Sequence, residues 1–381
     1  MTYKIELIKS VDDFDRFSDD WIKLNRSIKN RYIFQDFFWI KNIVKHITNY
    51  EQLLIILVFE NKELVGVGHF AVFNENNERI LKFLGTPLSD YNEFIIAKDD
   101  KNIIKIILKT LFRNKKYFDK IILNQVPVNS KTYKNLKKIF DSEKMKHIIA
   151  EDLGCPVFNY KKISEQKAKI KLNKKDVRRH MNHLKKKGVL KFEKAENIRQ
   201  ARKFMKVMIN QHLDRWNKEN DPSMFNEKMY IVFFNEILDN YWEKDAIRFS
   251  CLKLNDEYLA LLFSFIFNKR VQAYTTTYNN DYYKYYPGLI LFKKDVENFV
   301  GKNISVFDLG RGTERYKLRF STEVIKTAKI FIFKNNFKYL KHNLVIYLKQ
   351  TGRKILAFFN HIHDVIFLYK KDRFKRLFKN K

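Results

Sequence analysis

Apolar and polar positions alternate in blocks along the chain, and the blocks define elements. Residues 3–9 read as a strand, and 11–29 and 36–47 carry helical spacing. Two apolar, β-rich runs follow, Leu53–Phe59 and Leu64–Phe73, separated by the polar turn Glu60-Asn61-Lys62-Glu63. Two such runs around a short polar turn predict an antiparallel hairpin. Arg79–Leu84 adds a third strand, Ile103–Phe112 a helix and Ile121–Val126 another strand. An antiparallel meander with helices around it is a mixed α/β unit, not a run of βαβ crossovers.

The stretch from about Tyr160 to Lys187 is a strongly basic connector. Within it Val177, Met181 and Leu184 fall on one helical face, with Asn173 placed to cap the start and Gly188 the end. The opposite face carries Lys174, Lys175, Arg178, Arg179, Lys185 and Lys186. The first pattern then recurs. Helices are predicted over roughly 196–216 and 224–242. Strands are predicted over Ile247–Leu254, Tyr258–Phe267 and Val271–Tyr278. A helix begins near Pro287 and stops before Gly301, the usual asymmetry of proline at the start and glycine past the end. Ile304–Leu309 and Val324–Phe333 complete the second unit as strands.

The expected organisation is therefore a first domain over 1–160, a second over 161–334 and a basic helical tail over 335–381. In the tail Ile355, Phe358, Phe359, Ile362, Ile366 and Tyr369 share one helical face, and Lys370–Lys381 ends the chain in dense positive charge. Cations flanking Phe, Ile and Leu suit a helix lying on an anionic membrane surface, although a helical extension packed on the second domain has the same pattern.

Composition narrows the function class. With 381 residues, 45% hydrophobic and 15% aromatic, the chain can bury two ordinary cores. Ten glycines and five prolines exclude collagen-like and low-complexity architectures. The formal net charge of +32 favours anionic partners, including nucleic acid, acidic lipid and phosphorylated glycans; heavy use of Lys, Asn, Ile and Phe by an AT-rich genome would also raise it. Two cysteines, Cys155 and Cys251, make neither a disulfide framework nor a CxxC site, which fits a reducing cytoplasm. The first ten residues lack the apolar core of a signal peptide, and no apolar run reaches the roughly 20 residues that span a bilayer. His180 and His183 sit one turn apart with no acidic or cysteine partner at metal-binding spacing, and His361-x-His363 stands beside Asp364 alone, so no metal is expected.

The chemistry concentrates between Tyr278 and Phe320. A strand ends at Tyr278 and a loop leads to a helix N-terminus at Pro287-Gly288, where unpaired N–H groups and a positive dipole suit a phosphate. The next strand delivers Asp308, followed by Gly310-Arg311-Gly312 and then Arg315, Tyr316, Lys317 and Arg319. A carboxylate, two glycines and several cations so close together suit acyl transfer to an amine or hydroxyl. Asp308 can accept the nucleophile's proton, and Lys317 or backbone N–H groups near the glycines can stabilise the oxyanion. No activated Ser or Cys nucleophile stands out, so direct attack on a thioester is expected.

These residues carry a family resemblance. Tyr286-Pro287-Gly288-Leu289, Phe307-Asp308-Leu309-Gly310-Arg311-Gly312 and Tyr316-Lys317 resemble the pattern of the cellulose-biosynthesis CelD-like acyltransferases. These are a branch of the GNAT superfamily related to FemAB-type transferases. Gly85 with Leu88-Ser89-Asp90-Tyr91, and Cys155-Pro156, resemble further elements of that family, so the likeness spans about residues 30–325. It implies tandem GNAT folds of class α/β (α+β), each with a mostly antiparallel mixed sheet flanked by helices. It also implies an acyl donor between two splayed strands, 271–278 and 304–309, with acetyl-CoA the first candidate. Asp308, Lys317 and Tyr316 are then the candidates for chemistry. Tyr286, Gly288, Leu289, Gly310, Arg311 and Gly312 would hold the donor, and Asp90, Tyr91, Tyr278 and Asp281 the acceptor. The usual GNAT loop, Arg/Gln-x-x-Gly-x-Gly/Ala, is replaced here by Tyr285-Tyr286-Pro287-Gly288.

Plainer readings stand beside these. Asp308 can hold a turn, Lys317 can be an ordinary surface cation, and the tyrosines at 282, 283, 285 and 286 can pack a cleft wall. The leading expectation is an acyl-CoA-dependent N- or O-acyltransferase acting on a sugar, glycan precursor or peptide-like acceptor. The alternatives are an aminoacyl-tRNA-dependent FemAB-type peptidyl transferase, for which the basic connector would meet tRNA, and a non-catalytic scaffold binding polyanions or membrane.

Overall fold

A computed structural model of the chain describes residues 2–29, 31–97, 100–218, 222–337, 339–340 and 343–344. The helical face through Ile355–Tyr369 and the cationic run Lys370–Lys381 lie outside the described residues. The first half runs β1 (Tyr3–Ile8), α1 (Ser18–Ser27), α2 (Phe37–His46), β2 (Gln52–Glu60), β3 (Glu63–Glu75), β4 (Glu78–Phe83) and β5 (Ile95–Ile96). It continues with α3 (Lys101–Arg113), β6 (Lys120–Pro127), α4 (Lys131–Glu143), β7 (His147–Glu151) and β8 (Cys155–Asn159). The second half runs α5 (Glu165–Leu172), α6 (Lys175–Lys185), β9 (Leu190–Lys194), α7 (Ile198–Lys218), α8 (Lys228–Trp242), β10 (Ile247–Leu254), β11 (Glu257–Phe267) and β12 (Arg270–Tyr278). Then come α9 (Pro287–Asn298), β13 (Val306–Asp308), α10 (Arg315–Phe320), β14 (Glu323–Ile325) and β15 (Thr327–Phe333).

Turn chemistry explains the meanders. Three hairpins reverse on Asn61-Lys62, Asn76-Asn77 and Asn268-Lys269, with φ between 49° and 67° at all six residues. Two-residue loops need this left-handed conformation to match strand twist, and asparagine tolerates it where glycine is scarce. Asn173 ends α5 rather than capping α6, which begins at Lys175 after Lys174 with no side-chain cap. Ser164 starts that extra helix by accepting from the Lys167 N–H.

The strands form two mixed sheets, ordered β1-β2-β3-β4-β6-β15-β7, with β5 beside β3, and β14-β8-β13-β12-β11-β10-β9. Each sheet is antiparallel apart from a parallel pair, β4 with β6 and β12 with β13. The sheets exchange strands. β8 from the first half lies between β14 and β13 in the second sheet, and β15 from the end of the second half lies between β6 and β7 in the first. The single strand expected over Val324–Phe333 is thus two. Glu323–Ile325 pairs with β8, and from Thr327 the chain crosses to the other sheet. Period-two alternation reports which side chains are buried but not which sheet buries them.

Both faces of the first sheet are covered, so β2 is apolar at every position from Leu53 to Phe59. Leu53, Ile55 and Leu57 face the space between the sheets, whereas Leu54, Ile56 and Val58 face α3 and α4. The middle layer, built on α1, α2, α7 and α8, is one continuous core shared by both sheets. Trp39 sits at its centre, fully buried, with edge-on contacts to Phe34, Phe233, Phe265 and Tyr274. The outer face of the second sheet is packed by α9, with α5 and α6 beside it.

Candidate functional site

Helix α9 is fixed from beneath. Buried Asp295 accepts from Arg248 Nε at 2.6 Å and from Ser250 Oγ at 3.0 Å, both on β10. The Tyr160 hydroxyl donates to the Val296 carbonyl at 2.8 Å. Its N-terminus is left open: no side chain caps it, Pro287 occupies the first turn, and Tyr286 stands before it in the left-handed conformation (φ 50°, ψ 52°). A bulky aromatic rarely adopts that conformation, at a cost of about 1 to 2 kcal/mol, and such strain gathers where a chain must present something.

Strands β12 and β13 pair in parallel only over Arg270–Gln272 against Val306–Asp308. Beyond that point β12 continues through Ala273 to Tyr278 while β13 stops and the chain turns into Leu309-Gly310. A bulge between Phe263 and Ser264, opposite Tyr274, bends β12 at the parting. The parting opens beside the N-terminus of α9. A Cβ on Gly288 would stand 3.5 Å from Thr276 Cγ2 and 4.0 Å from Tyr278 Cδ1, an ordinary contact, so internal packing does not require glycine there. Tyr278 faces the Arg215 guanidinium at 5.0 Å, and Leu289 packs partly buried on the outer core. Tyr316 lies 5.9 Å from Phe292 of α9, its phenol pushed up by burial and by Glu314.

At the foot of the parting lies a charge cluster contributed by both halves. Asp308 is fully buried. Its Oδ2 accepts from the Tyr91 hydroxyl at 2.6 Å and from Arg270 Nη1 at 2.7 Å, and its Oδ1 accepts from the Gly310 N–H at 2.9 Å. Tyr32 and Tyr91 stack on each other at 4.2 Å, and the Arg270 guanidinium lies beside the pair, 5.1 Å from Tyr32 and 5.9 Å from Tyr91. Asp90 lies beside it, 3.5 Å from Arg311 Nε, and accepts from Gln272 Nε2 at 3.3 Å. Burial pushes the Asp90 carboxyl up to about 6; Arg311 and Lys317 pull against this and Asp308 adds to it. Cys155 also borders the cluster, and burial there holds its thiol well above the usual range.

The loop that delivers Asp90 is fastened at several points. Trp39 Nε1 donates to Ser89 Oγ at 3.0 Å, Gln35 Nε2 to the Tyr91 carbonyl at 2.7 Å, and the Tyr274 hydroxyl to the Leu88 carbonyl at 2.9 Å. Across the seam Arg311 Nη2 donates to the Pro87 carbonyl at 2.9 Å. Gly310 (φ 77°) allows the close approach, since a Cβ would meet the Ala273 carbonyl at 2.9 Å. Gly312 has φ 103°, and Lys317 holds this loop from below, donating to the Arg311 carbonyl at 2.6 Å and pairing with Glu314 at 3.1 Å.

The candidates from sequence thus fall into two adjoining groups. Asp90, Tyr91, Asp308, Gly310, Arg311 and Lys317 meet at the seam, with Gly312 in the same loop. Tyr278, Tyr286, Gly288, Leu289 and Tyr316 surround the open end of α9. Asp281 is apart, exposed at a 3-10 turn where its N–H closes on the Asn279 side chain. Sequence reasoning did not single out Arg270, Gln272, Tyr32 or Tyr274. A buried carboxylate requires a counter-charge, and pairing of the strands at 270 and 306 would have supplied it. His180 and His183 face Tyr286 and Tyr285, with ring centroids 5.0 and 6.4 Å apart.

Residues 171–318 match the family model of the acetyltransferase (GNAT) domain. No curated protein matches the chain. Among solved structures, FemX aligns with a TM-score of 0.59 at 12% identity, covering 90% of this chain and 99% of that one. L-PGS from Bacillus licheniformis aligns with a TM-score of 0.51 at 10% identity, covering 91% and 99%. A protein of unknown function from Bacteroides thetaiotaomicron aligns with a TM-score of 0.52 at 11% identity, covering 87% and 100%. At such identities the likeness is one of fold: two mixed sheets flanked by helices in a GNAT-like tandem.

Proposed function

We propose that the chain is an acyltransferase that moves an acyl group from a donor lodged between β12 and β13 to an amine or hydroxyl on a sugar, glycan precursor or peptide-like acceptor. The observation that carries this is the parting of those strands beside the uncapped N-terminus of α9, inside the stretch that matches the acetyltransferase domain. Acyl-CoA, with acetyl-CoA foremost, suits that space. Its amides would extend the open edge of β12, and its pyrophosphate would meet the N–H groups and dipole of α9. The likeness to CelD-like enzymes favours polysaccharide biosynthesis in the cytoplasm as the setting.

Transfer is direct in this reading, with the acceptor attacking the thioester carbonyl. Buried Cys155, its thiol held protonated, is a poor covalent nucleophile. Asp90 takes the acceptor's proton, because it is the carboxylate held near neutrality. Asp308, with Tyr91, Arg270 and Gly310 already on its oxygens, acts by fixing the Gly310–Gly312 loop, and Lys317 braces that loop at the Arg311 carbonyl.

A second reading, aminoacyl transfer from tRNA, draws on the basic face of α6. There Lys175, Arg178, Arg179 and Lys186 line a hollow of about 840 Å³ with Asp176, Asn182 and His183. Thermal unfolding of the full chain with acetyl-CoA, longer acyl-CoAs, free CoA and charged tRNA separates the two, since a ligand of the folded state must raise its stability. A shift with an acyl-CoA, lost in Gly288→Glu, supports the first reading. No shift with any CoA, together with salt-sensitive tRNA binding, replaces it with the second.

A further inference from the structure

The face of the first sheet that points away from the seam carries a hollow with no part in acyl transfer. It measures about 570 Å³ and lies between α3, the end of α4 and the end of β15. Leu108, Ile139 and Phe333 are buried beneath it and Phe112 and Met145 partly so, which makes an apolar floor. Lys105, Lys109, Arg113, Lys144, Lys146 and Lys334 stand around it. Lys105, Lys109 and Arg113 recur every fourth residue, a single stripe along α3. Among the described residues Glu143 is the one carboxylate in the lining, and the Lys105 hydrogen bond holds it below the usual carboxylate range.

The chain leaves β15 at this hollow and continues through Phe337, Leu340 and Leu344, which are 71%, 62% and 57% exposed. Their spacing of three and four in the sequence is that of one helical face. Scattered exposed apolar residues are ordinary, but a stripe of them next to a cation-rimmed, apolar-floored hollow forms a patch. The hollow along α6 is different: its lining is charged or polar throughout. A bare polyanion needs only the second kind of surface, whereas an anionic amphiphile needs both charge and floor.

The geometry points to this face as a seat for an anionic lipid surface. The hollow receives a phosphate headgroup with the first methylenes of its chains, and Phe337, Leu340 and Leu344 enter the interface beside it. The occupant is a phospholipid with net negative charge, which would hold the catalytic seam on the side away from the bilayer.

Sedimentation of the full chain with vesicles tests this, comparing phosphatidylcholine alone with phosphatidylcholine containing phosphatidylglycerol. Lys109→Glu/Arg113→Glu changes two exposed rim cations, and Lys191→Glu/Lys194→Glu on the far edge of the second sheet makes the same change in net charge elsewhere. Unchanged thermal unfolding establishes that each variant is folded. The rim variant is expected to lose roughly tenfold or more of its retention on anionic vesicles, with the edge variant near wild type. Phe337→Ser/Leu340→Ser is expected to lose the retention that survives high salt. Equal losses in the rim and edge variants would overturn the proposal, because retention would then follow net charge alone. So would equal retention on neutral vesicles, or none on either.

Discussion

Tyr91 and Asp308, 217 positions apart in the chain, share a buried 2.6 Å hydrogen bond across the two halves. The phenol is raised by burial and by the carboxylate, so it remains a donor throughout the stable range. Arg270 pairs with Asp308 at 2.7 Å and supplies its counter-charge in a dry setting. Removing one member of such a pair leaves the other uncompensated. Asp308→Leu is therefore expected to cost about 3 to 5 kcal/mol in urea unfolding. The double variant Asp308→Leu/Arg270→Met should recover most of that stability without recovering transfer activity, because the Gly310 N–H then has no carboxylate to hold it.

Asp90 gives a pH signature. Its carboxyl binds a proton more tightly folded, at about 6, than unfolded, at the ordinary carboxylate value of 3.8. The folded state is thus favoured most below about 4 and loses stability as pH rises to about 6, by up to about 3 kcal/mol. Asp90→Asn should flatten stability over that window and raise it at pH 7, measured by denaturant midpoints across pH. In the transferase assay the wild-type rate should climb through an apparent pKa near 6, a limb absent from Asp90→Asn. A limb that persists in Asp90→Asn and disappears in Asp308→Asn would assign the base to Asp308 instead.

Two glycines should behave oppositely. At Gly288 a methyl group finds room, so Gly288→Ala is expected to fold with unchanged or slightly higher stability and to bind the donor more weakly. At Gly310 the added carbon meets a backbone carbonyl at 2.9 Å and takes φ 77°, so Gly310→Ala should cost about 2 kcal/mol before any ligand is considered. Thermal unfolding with and without acyl-CoA reads both effects together.

Tyr286 supplies a further test. Glycine would relieve its left-handed backbone, yet the ring contact with His180 would go. Tyr286→Gly is expected to gain about 1 kcal/mol in stability and lose donor affinity, seen as a raised KM with kcat little changed.

The meanders and the proline-started helix α9 are legible because each rests on local chemistry, turn residues in one case and a first-turn proline in the other; the splay of β12 from β13 is reached only through the family resemblance. The segment 128–160 is not legible. α4 is polar on most of its surface, and β7 and β8 are short, so neither periodicity nor apolar run length marks them. Arg270 escaped notice because its partner lies 38 residues on, and nothing near position 270 distinguishes it from the many other cations. Among the tyrosines at 282, 283, 285 and 286, Tyr286 is marked by the proline that follows it, whereas the bond of Tyr282 to Glu257 depends on tertiary placement.

The crossing of β15 into the first sheet has a consequence for heredity as well as for folding. A gene fragment ending near codon 160 would encode β6 and β7 without the strand that joins them, while its β8 would have neither β13 nor β14 to lie against. The remaining fragment would carry β13 and β14 with no strand between them. A gene divided near this point would therefore separate each half from a strand that its own sheet requires.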